Sequence, residues 1–466
     1  MTPPPTSADV VVLGAGPAGL GAAYRLAGRG LAVRVLERAP AVGGLAASFD
    51  VAGVRVDHGS HRLHHATPAP VAGTLRALLG DDLQVRTRNG RIRMAGRFVR
   101  FPPSPPDLVR RLPPSLSAAL ARDVVAGRWR GRGASEPRTF DAAVRVALGP
   151  TLASRFYAPY VEKLFGLPPA QLSPELFRRR VGARRSGSLV RRAVAGGRAR
   201  RTFMYPRRGY GQIPEALADA AVAAGAAVDT GSEVTAIRCD EHGAVVETAD
   251  GRHHEASAVW STLPLPLVAR LAGAPDGVRA AADRLATRAM VLVYLVFGAA
   301  RWTPYDAHYF PELGVPMSRV SEPKNYRTST ADPRDLTVVC AEVPCRVGDD
   351  WWRSGAQEAG ERVRDALARE SLPAPRPVHT EVRRVRDVYP VYALGHEAAF
   401  AAVDAWARTL PRFVHFGRQG LFAHDNTHHA LAMAWAAADA ARPDGQVDAA
   451  AWSRARAAFA AHVVED

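Results

Sequence analysis

The six positions from His424 to His429 read HDNTHH, and five of them are His, Asp or Asn, side chains that could bind a metal, move a proton or cap a helix. A metal site asks for ligands fixed on one helix face or in a closed loop. His428 and His429 are consecutive, and neighbouring helix positions point about 100° apart, so no metal is expected. The competing reading is a helix start, with Asp425 or Asn426 capping the apolar run ALAMAW. A second set lies in HGSHRLHH, where His61, Arg62 and His64 are candidates for catalysis, because an imidazole there could move a proton near neutral pH. Each of the two histidines could equally be a hydrogen-bonded structural side chain. Tyr389 and Tyr392, in YPVY, could offer hydroxyls or flat faces to a sugar or an amine, or fill a core. Neither a GxSxG elbow nor an HExxH helix occurs, which leaves hydrolase chemistry without support.

The elements that must position these groups begin at the N-terminus. Val10 to Leu13 reads as a short strand, and Gly14-Ala15-Gly16-Pro17-Ala18-Gly19 leads from it into the helical stretch LGAAYRLAGRG. This is GxGxxG in the context the motif requires. Gly14 permits the tight turn, Gly16 lets backbone approach a pyrophosphate, and Gly19 lets helix and strand pack closely. The helix start then offers N–H groups and a partial positive charge to phosphates. A second strand, LAVRVLE, ends at Glu37, whose carboxylate can accept from ribose hydroxyls and disfavours a 2′-phosphate, an effect that the adjacent Arg38 softens. Dinucleotide binding follows. Arg418, in GRQG, could face that pyrophosphate or an anionic substrate, or form a surface ion pair.

Composition narrows the partners. The chain has 466 residues, 47% hydrophobic and 23% charged, enough for two or three domains, and no apolar run reaches the roughly 18 residues of a membrane span. The net charge of +16 is carried by arginine, since Lys163 and Lys324 are the only lysines. Its densest block, residues 177–201, could meet phosphate groups, an acidic protein or an anionic membrane surface peripherally, or be a solvated face. Nucleic acid is not expected, because the block lacks interleaved aromatics and zinc-finger spacing. Cys239, Cys340 and Cys345 form no CxxC pair, and MTPPPTSADVVVLG has no charged segment ahead of an apolar one. No export signal is read, and a cytoplasmic location is expected.

Beyond Glu37 the chain reads RAPAVGGLAASFDVAGVRVDHGSHRLH, and this stretch resembles the N-terminal segment of FAD enzymes in the amine oxidase, protoporphyrinogen oxidase and UDP-galactopyranose mutase group. The resemblance implies that Gly43 and Gly44 sit by the FAD pyrophosphate and that Gly59, Ser60 and His61 border the flavin ring. Leu45 stands where the family often has an arginine. Further stretches are similar to the same group: residues 156–180 to a substrate-region helix and turn, and 205–237 to the return into the FAD domain, which implies an adenine contact near Val234. Residues 258–268 and the segment around GRQGLFAHDNTHHALAMAW complete the likeness. The last implies a flavin-binding helix start comprising Gly417, Arg418, Asp425, Asn426, Thr427 and His428, with its positive end facing the flavin. Thr427-His428 replaces the usual apolar-acidic pair. The absence of a cysteine from that segment points to non-covalent FAD.

The expected fold is α/β: a Rossmann-type FAD-binding domain, glutathione-reductase-like and of amine oxidase type, with an interleaved α+β substrate domain. Residues 1–75, 203–270 and 385–466 would form the FAD domain. Residues 76–202, reading helical, and 271–384, reading as sheet, would form the substrate domain. The leading function is an FAD-dependent oxidoreductase removing a hydride from a C–N, C–O or C–C bond of a small or medium substrate, including a sugar or a phosphorylated or nucleotide-linked metabolite. A redox-neutral nucleotide-sugar mutase using reduced FAD is the second reading. The third is a non-catalytic basic binding protein on a Rossmann scaffold. The oligomeric state is not legible.

Overall fold

A computed structural model describes residues 6–101, 103–130, 136–182 and 202–464. Most of the arginine block, residues 183–201, lies outside the described residues.

The strand Thr6–Leu13 (β1) is the centre of the first sheet. It pairs in parallel with Val33–Glu37 (β2) on one side and His253–Ser261 on the other. The full order is Val234–Cys239, Ala244–Thr248, His253–Ser261, β1, β2 and Ala227–Thr230, and Phe413–His415 runs parallel to the last part of His253–Ser261. Val10, Val11, Val12 and Leu13 are fully buried. Both faces of β1 are covered, so the strand is an unbroken apolar run rather than an alternating one. The helices Pro17–Ala27 (α1), Gln212–Ala223 and Thr427–Asp439 share the core on one face. Phe140–Leu148, Ala158–Phe165, Leu265–Leu271 and His396–Ala407 cover the other.

A second sheet runs His379–Pro390, Thr287–Phe297, Thr337–Cys345, Arg319–Ser321, Ala307–Tyr309, Gly90–Met94 and Arg97–Phe101. Its last two strands correct the helical reading of residues 76–202. GRIRM alternates buried with more exposed positions, the period of a half-buried strand, and pairs with RFVRF, where Val99 is the buried position, around a tight turn in which Ala95 and Gly96 both have positive φ. Leu83–Thr87, from the same segment, pairs with Thr202–Pro206. The strand His379–Pro390 also carries the second sheet past residue 385, where the FAD domain was expected to resume.

Candidate functional site

At the end of β1 the chain turns through Gly14, whose φ of +97° is accessible to glycine, and enters α1 with Pro17 in its first turn. Gly16 is the N-cap, and no side chain caps the helix or places an acid in its first turn. The N–H groups and dipole of α1 are therefore left for an external anion. Gly19 cannot be replaced freely, because a Cβ there would lie 1.9 Å from the Gly14 carbonyl oxygen. A Cβ on Gly16 would meet nothing within 4 Å. Around this opening Gly44 brings its backbone so close that a Cβ would be 3.5 Å from the Gly16 Cα, and Gly417 packs against Ala18. Gly43 and Gly44 both have positive φ, and Leu45 lies in the short 3₁₀ turn that follows. This glycine-walled cradle fits a pyrophosphate.

Glu37, at the end of β2, is buried. Its Oε2 accepts from the Ala15 N–H at 2.8 Å and its Oε1 from the Ala39 N–H at 2.9 Å, so the carboxylate ties the motif loop to the strand end. The Ser232 N–H donates to the Glu37 carbonyl oxygen, which brings the loop before Val234 to the same edge. Arg38 points into solvent.

The turn Asp57–Arg62 is held from several directions. Asp57 accepts from the Ser48 hydroxyl (2.6 Å), the Tyr205 hydroxyl (2.5 Å) and the Tyr210 N–H (2.9 Å). The Ser60 N–H donates to Glu342 Oε1 at 2.8 Å, while Arg319 donates to the Ser60 carbonyl oxygen at 3.1 Å. His61 stacks on Tyr210 with ring centroids 5.0 Å apart, and its Nδ1 is buried without a partner. Burial pushes its pKa down to about 4, against the opposing charge of Asp57. His61 is thus a neutral imidazole with one nitrogen available to a ligand. Arg62 is spent elsewhere: it donates to the hydroxyls of Tyr309 (2.9 Å) and Tyr326 (3.3 Å) and pairs with Asp306 at 3.3 Å. His64 is buried, 3.0 Å from an Arg88 guanidinium nitrogen and 6.0 Å from the His428 ring.

Asn426 caps the helix Thr427–Asp439, and its N–H donates back to His429 Nδ1 at 3.2 Å. Thr427 faces the Tyr210 hydroxyl. Burial lowers His428 to about 4 and His429 to about 3. Asp425 is pushed up by burial but more strongly down by the hydrogen bond from His462 and the charges around it. Asp425, His429 and His462 bring one ligand atom each within 4.8 Å of one another. The His429 and His462 rings are stacked 4.3 Å apart at 13°, and His429 Nδ1 already accepts a hydrogen bond. The grouping behaves as a latch that fastens the C-terminal tail over Asp425.

Tyr389, Phe165 and His424 form a wall. His424 stacks on Tyr389 (5.2 Å, 13°) and meets Phe165 edge-on (5.4 Å). The guanidiniums of Arg180 and Arg418 lie 5.9 and 5.6 Å from the Tyr389 ring centroid. His424 is buried, its Nε2 has no partner, and burial followed by the charges of Arg180, Arg418 and Arg179 keeps it neutral. Arg418 does not form a surface ion pair. It donates to the carbonyl oxygens of Asp425 and Val388, both at 2.7 Å, and its Nε is unpartnered. Tyr392 is committed to packing: its hydroxyl donates to the Phe422 carbonyl oxygen and accepts from the His424 N–H, both at 3.1 Å. Sequence reasoning missed Tyr210, Glu342, Arg319 and His462. The signal for Glu342 was there, as the single carboxylate in the buried strand TVVCAEVPC.

The model of the family "Flavin containing amine oxidoreductase" matches residues 17–442. Solved structures share the fold over almost the whole length. The reduced form of a UDP-galactopyranose mutase superposes with a TM-score of 0.80 at 21% identity, covering 99% of this chain and 100% of that one. A protoporphyrinogen oxidase-like protein from Exiguobacterium sp. 255-15 gives 0.71 at 17%, covering 97% and 98%. A cyclohexylamine oxidase from Brevibacterium oxydans IH-35A gives 0.66 at 18%, again covering 97% and 98%.

Proposed function

The chain belongs to the flavin containing amine oxidoreductase family and is by that membership a flavin-dependent oxidoreductase; from this premise we propose that it binds FAD non-covalently and oxidises a small anionic substrate, phosphorylated or nucleotide-linked. The glycine cradle at the start of α1 and the buried Glu37, which ties the motif loop to the end of β2, support FAD. Cys239, Cys340 and Cys345 lie outside the C-terminal flavin segment, and the burial that raises the pKa of each thiol keeps it unreactive, which supports a non-covalent cofactor. Bound there, FAD supplies the acceptor for a hydride from a C–N, C–O or C–C bond.

The observation that carries the choice of substrate is the wall of Tyr389, Phe165 and His424 flanked by Arg180 and Arg418. Two guanidiniums beside neutral aromatic faces attract phosphate or carboxylate groups and repel an ammonium. His424 and His61, both neutral with an unpartnered nitrogen, are the groups able to hold or pass a proton beside a substrate. Tyr389 offers a flat face, while Arg62, His64 and Tyr392 act by holding their neighbours in place. Among the described residues no helix is long and apolar enough to cross a membrane, and Cys239, Cys340 and Cys345 are free thiols.

The same arginine-flanked wall favours a second reading, a redox-neutral sugar-nucleotide isomerase, given the whole-length likeness in fold to a UDP-galactopyranose mutase. The test is to offer amines, sugar nucleotides and porphyrinogen-like compounds anaerobically to the oxidised and the reduced protein. Bleaching of the oxidised flavin by an anionic compound supports the first reading. Turnover from the reduced protein alone, with unchanged product mass, would replace it with the second, and oxidation of amines alone would remove the anionic substrate. Arg180→Gln should raise KM for the anionic compound by at least tenfold, since a hydrogen bond to a charged group contributes about 1.5–3 kcal/mol.

A further inference from the structure

We propose that Glu342, acting with Arg319, is a positioning residue that fixes the Ser60 peptide and sets the reduction potential of the flavin. This rests on the reading that the Gly59–His61 turn borders the flavin.

Glu342 lies in the middle of Thr337–Cys345, every residue of which is buried. It is 2% exposed, yet its carboxylate is fully engaged. Arg319, directly opposite on the neighbouring strand, donates from Nε to Oε1 and from Nη2 to Oε2, both at 2.8 Å. The ion pair then grips Ser60 at both ends: Oε1 accepts the Ser60 N–H at 2.8 Å, and Arg319 Nη2 donates to the Ser60 carbonyl oxygen at 3.1 Å. Gly59 makes room, because a Cβ there would stand 3.3 Å from Oε1. The Ser60 hydroxyl bonds to that of Tyr326, so two polar atoms of Ser60 are held by the second sheet and a third by the loop between two of its strands.

A neutral amide could accept the Ser60 N–H as well as a carboxylate does. Burying an ion pair instead carries a desolvation cost of several kcal/mol per ion before the mutual attraction is counted. A charge kept at such cost beside a redox centre acts on the redox equilibrium. Reduction adds negative charge to the flavin, so a carboxylate one hydrogen bond behind the turn disfavours it, and Arg319 offsets part of that effect.

The experiment is the two-electron midpoint potential of the FAD-loaded protein at pH 8, by anaerobic dye equilibration, for wild type, Glu342→Gln, Arg319→Gln and the double variant. Glu342→Gln should favour reduction by at least tenfold, about 30 mV upward for a two-electron couple. Arg319→Gln should shift it the other way, and the double variant should return close to wild type. If Glu342→Gln folds poorly, Arg319→Gln compared with the double variant isolates the same carboxylate without leaving Arg319 unpaired. Shifts of the same sign in both single variants would mean mere distortion and overturn the proposal. His61→Phe separates the two levels of the argument. An unperturbed flavin spectrum in that variant would remove the turn from the flavin and overturn both readings, whereas a perturbed spectrum with unmoved potentials would overturn the Glu342 assignment alone.

Discussion

Gly16→Ala should separate what the GxGxxG motif does for the ligand from what it does for the fold. Gly16 has φ −76° and ψ 175°, an extended conformation that alanine adopts without strain, and a Cβ there meets nothing within 4 Å. Two small effects oppose each other in the protein without ligand. Alanine reduces the freedom of the unfolded chain, worth about 0.4–1 kcal/mol, while alanine is a poorer N-cap than glycine by a similar amount. Apoprotein stability should stay within about 1 kcal/mol of wild type. FAD affinity should fall at least tenfold, about 1.4 kcal/mol, because the added methyl stands in the open space at the start of α1 that the pyrophosphate would need. At a FAD concentration about 100 times the wild-type Kd, ligand stabilisation would drop from about 2.7 to about 1.4 kcal/mol. Gly19→Ala is the counterpart: its Cβ would lie 1.9 Å from a backbone oxygen, so the apoprotein itself should lose stability. Thermal melts with and without FAD, and a fluorescence titration, measure both quantities. Wild-type FAD affinity in Gly16→Ala, or an apoprotein destabilised by more than about 2 kcal/mol, would refute the cradle.

Glu37→Gln should weaken FAD binding by at least tenfold and destabilise the apoprotein by about 1–3 kcal/mol, because an amide oxygen can replace only one of the two carboxylate oxygens that accept from Ala15 and Ala39; unchanged affinity by titration would contradict the ribose role. Lys163 is buried with its ammonium donating to the carbonyl oxygens of Phe310 and Met317, and burial lowers its pKa from 10.5 to about 7. Between about pH 7 and 10.5 the unfolded chain therefore binds the extra proton, so this residue makes stability rise with pH there, by up to about 1.4 kcal/mol per unit. Melting wild type beside Lys163→Met from pH 7 to 10 checks the sign, and parallel curves would show that the lysine does not titrate in that range.

The strand, glycine turn, helix and second strand at the start of the chain were legible because they are consecutive, and the close approach that Gly19 permits is to the backbone of Gly14, five residues away. The second sheet was legible where its strands are plainly apolar, as in RAMVLVYLVF, and hidden where arginines alternate with Ile, Met, Phe and Val between residues 90 and 101. Side-chain direction escaped the sequence more often than position did. Arg418 stands beside the expected glycine, yet it reaches the carbonyl oxygens of Val388 and Asp425. Tyr392 turns its hydroxyl inward, while Tyr389, three residues earlier, joins the aromatic wall. His462 reaches Asp425 because the last helix folds back, a long-range contact that no local spacing encodes.

The first sheet draws Phe413–His415 alongside His253–Ser261, and the helix Thr427–Asp439 lies in the same core as α1. During synthesis, α1 leaves the ribosome about 400 residues before the helix that covers it. At about 5–20 residues per second that gap lasts roughly 20–80 s. For that time the apolar surface of α1 that Leu431, Ala434 and Trp435 later cover is open to other chains. A nascent polypeptide halted before Thr427 would hold the strand, glycine turn and α1 with nothing to close over that face, so protection against aggregation has to last until the helix Thr427–Asp439 has emerged.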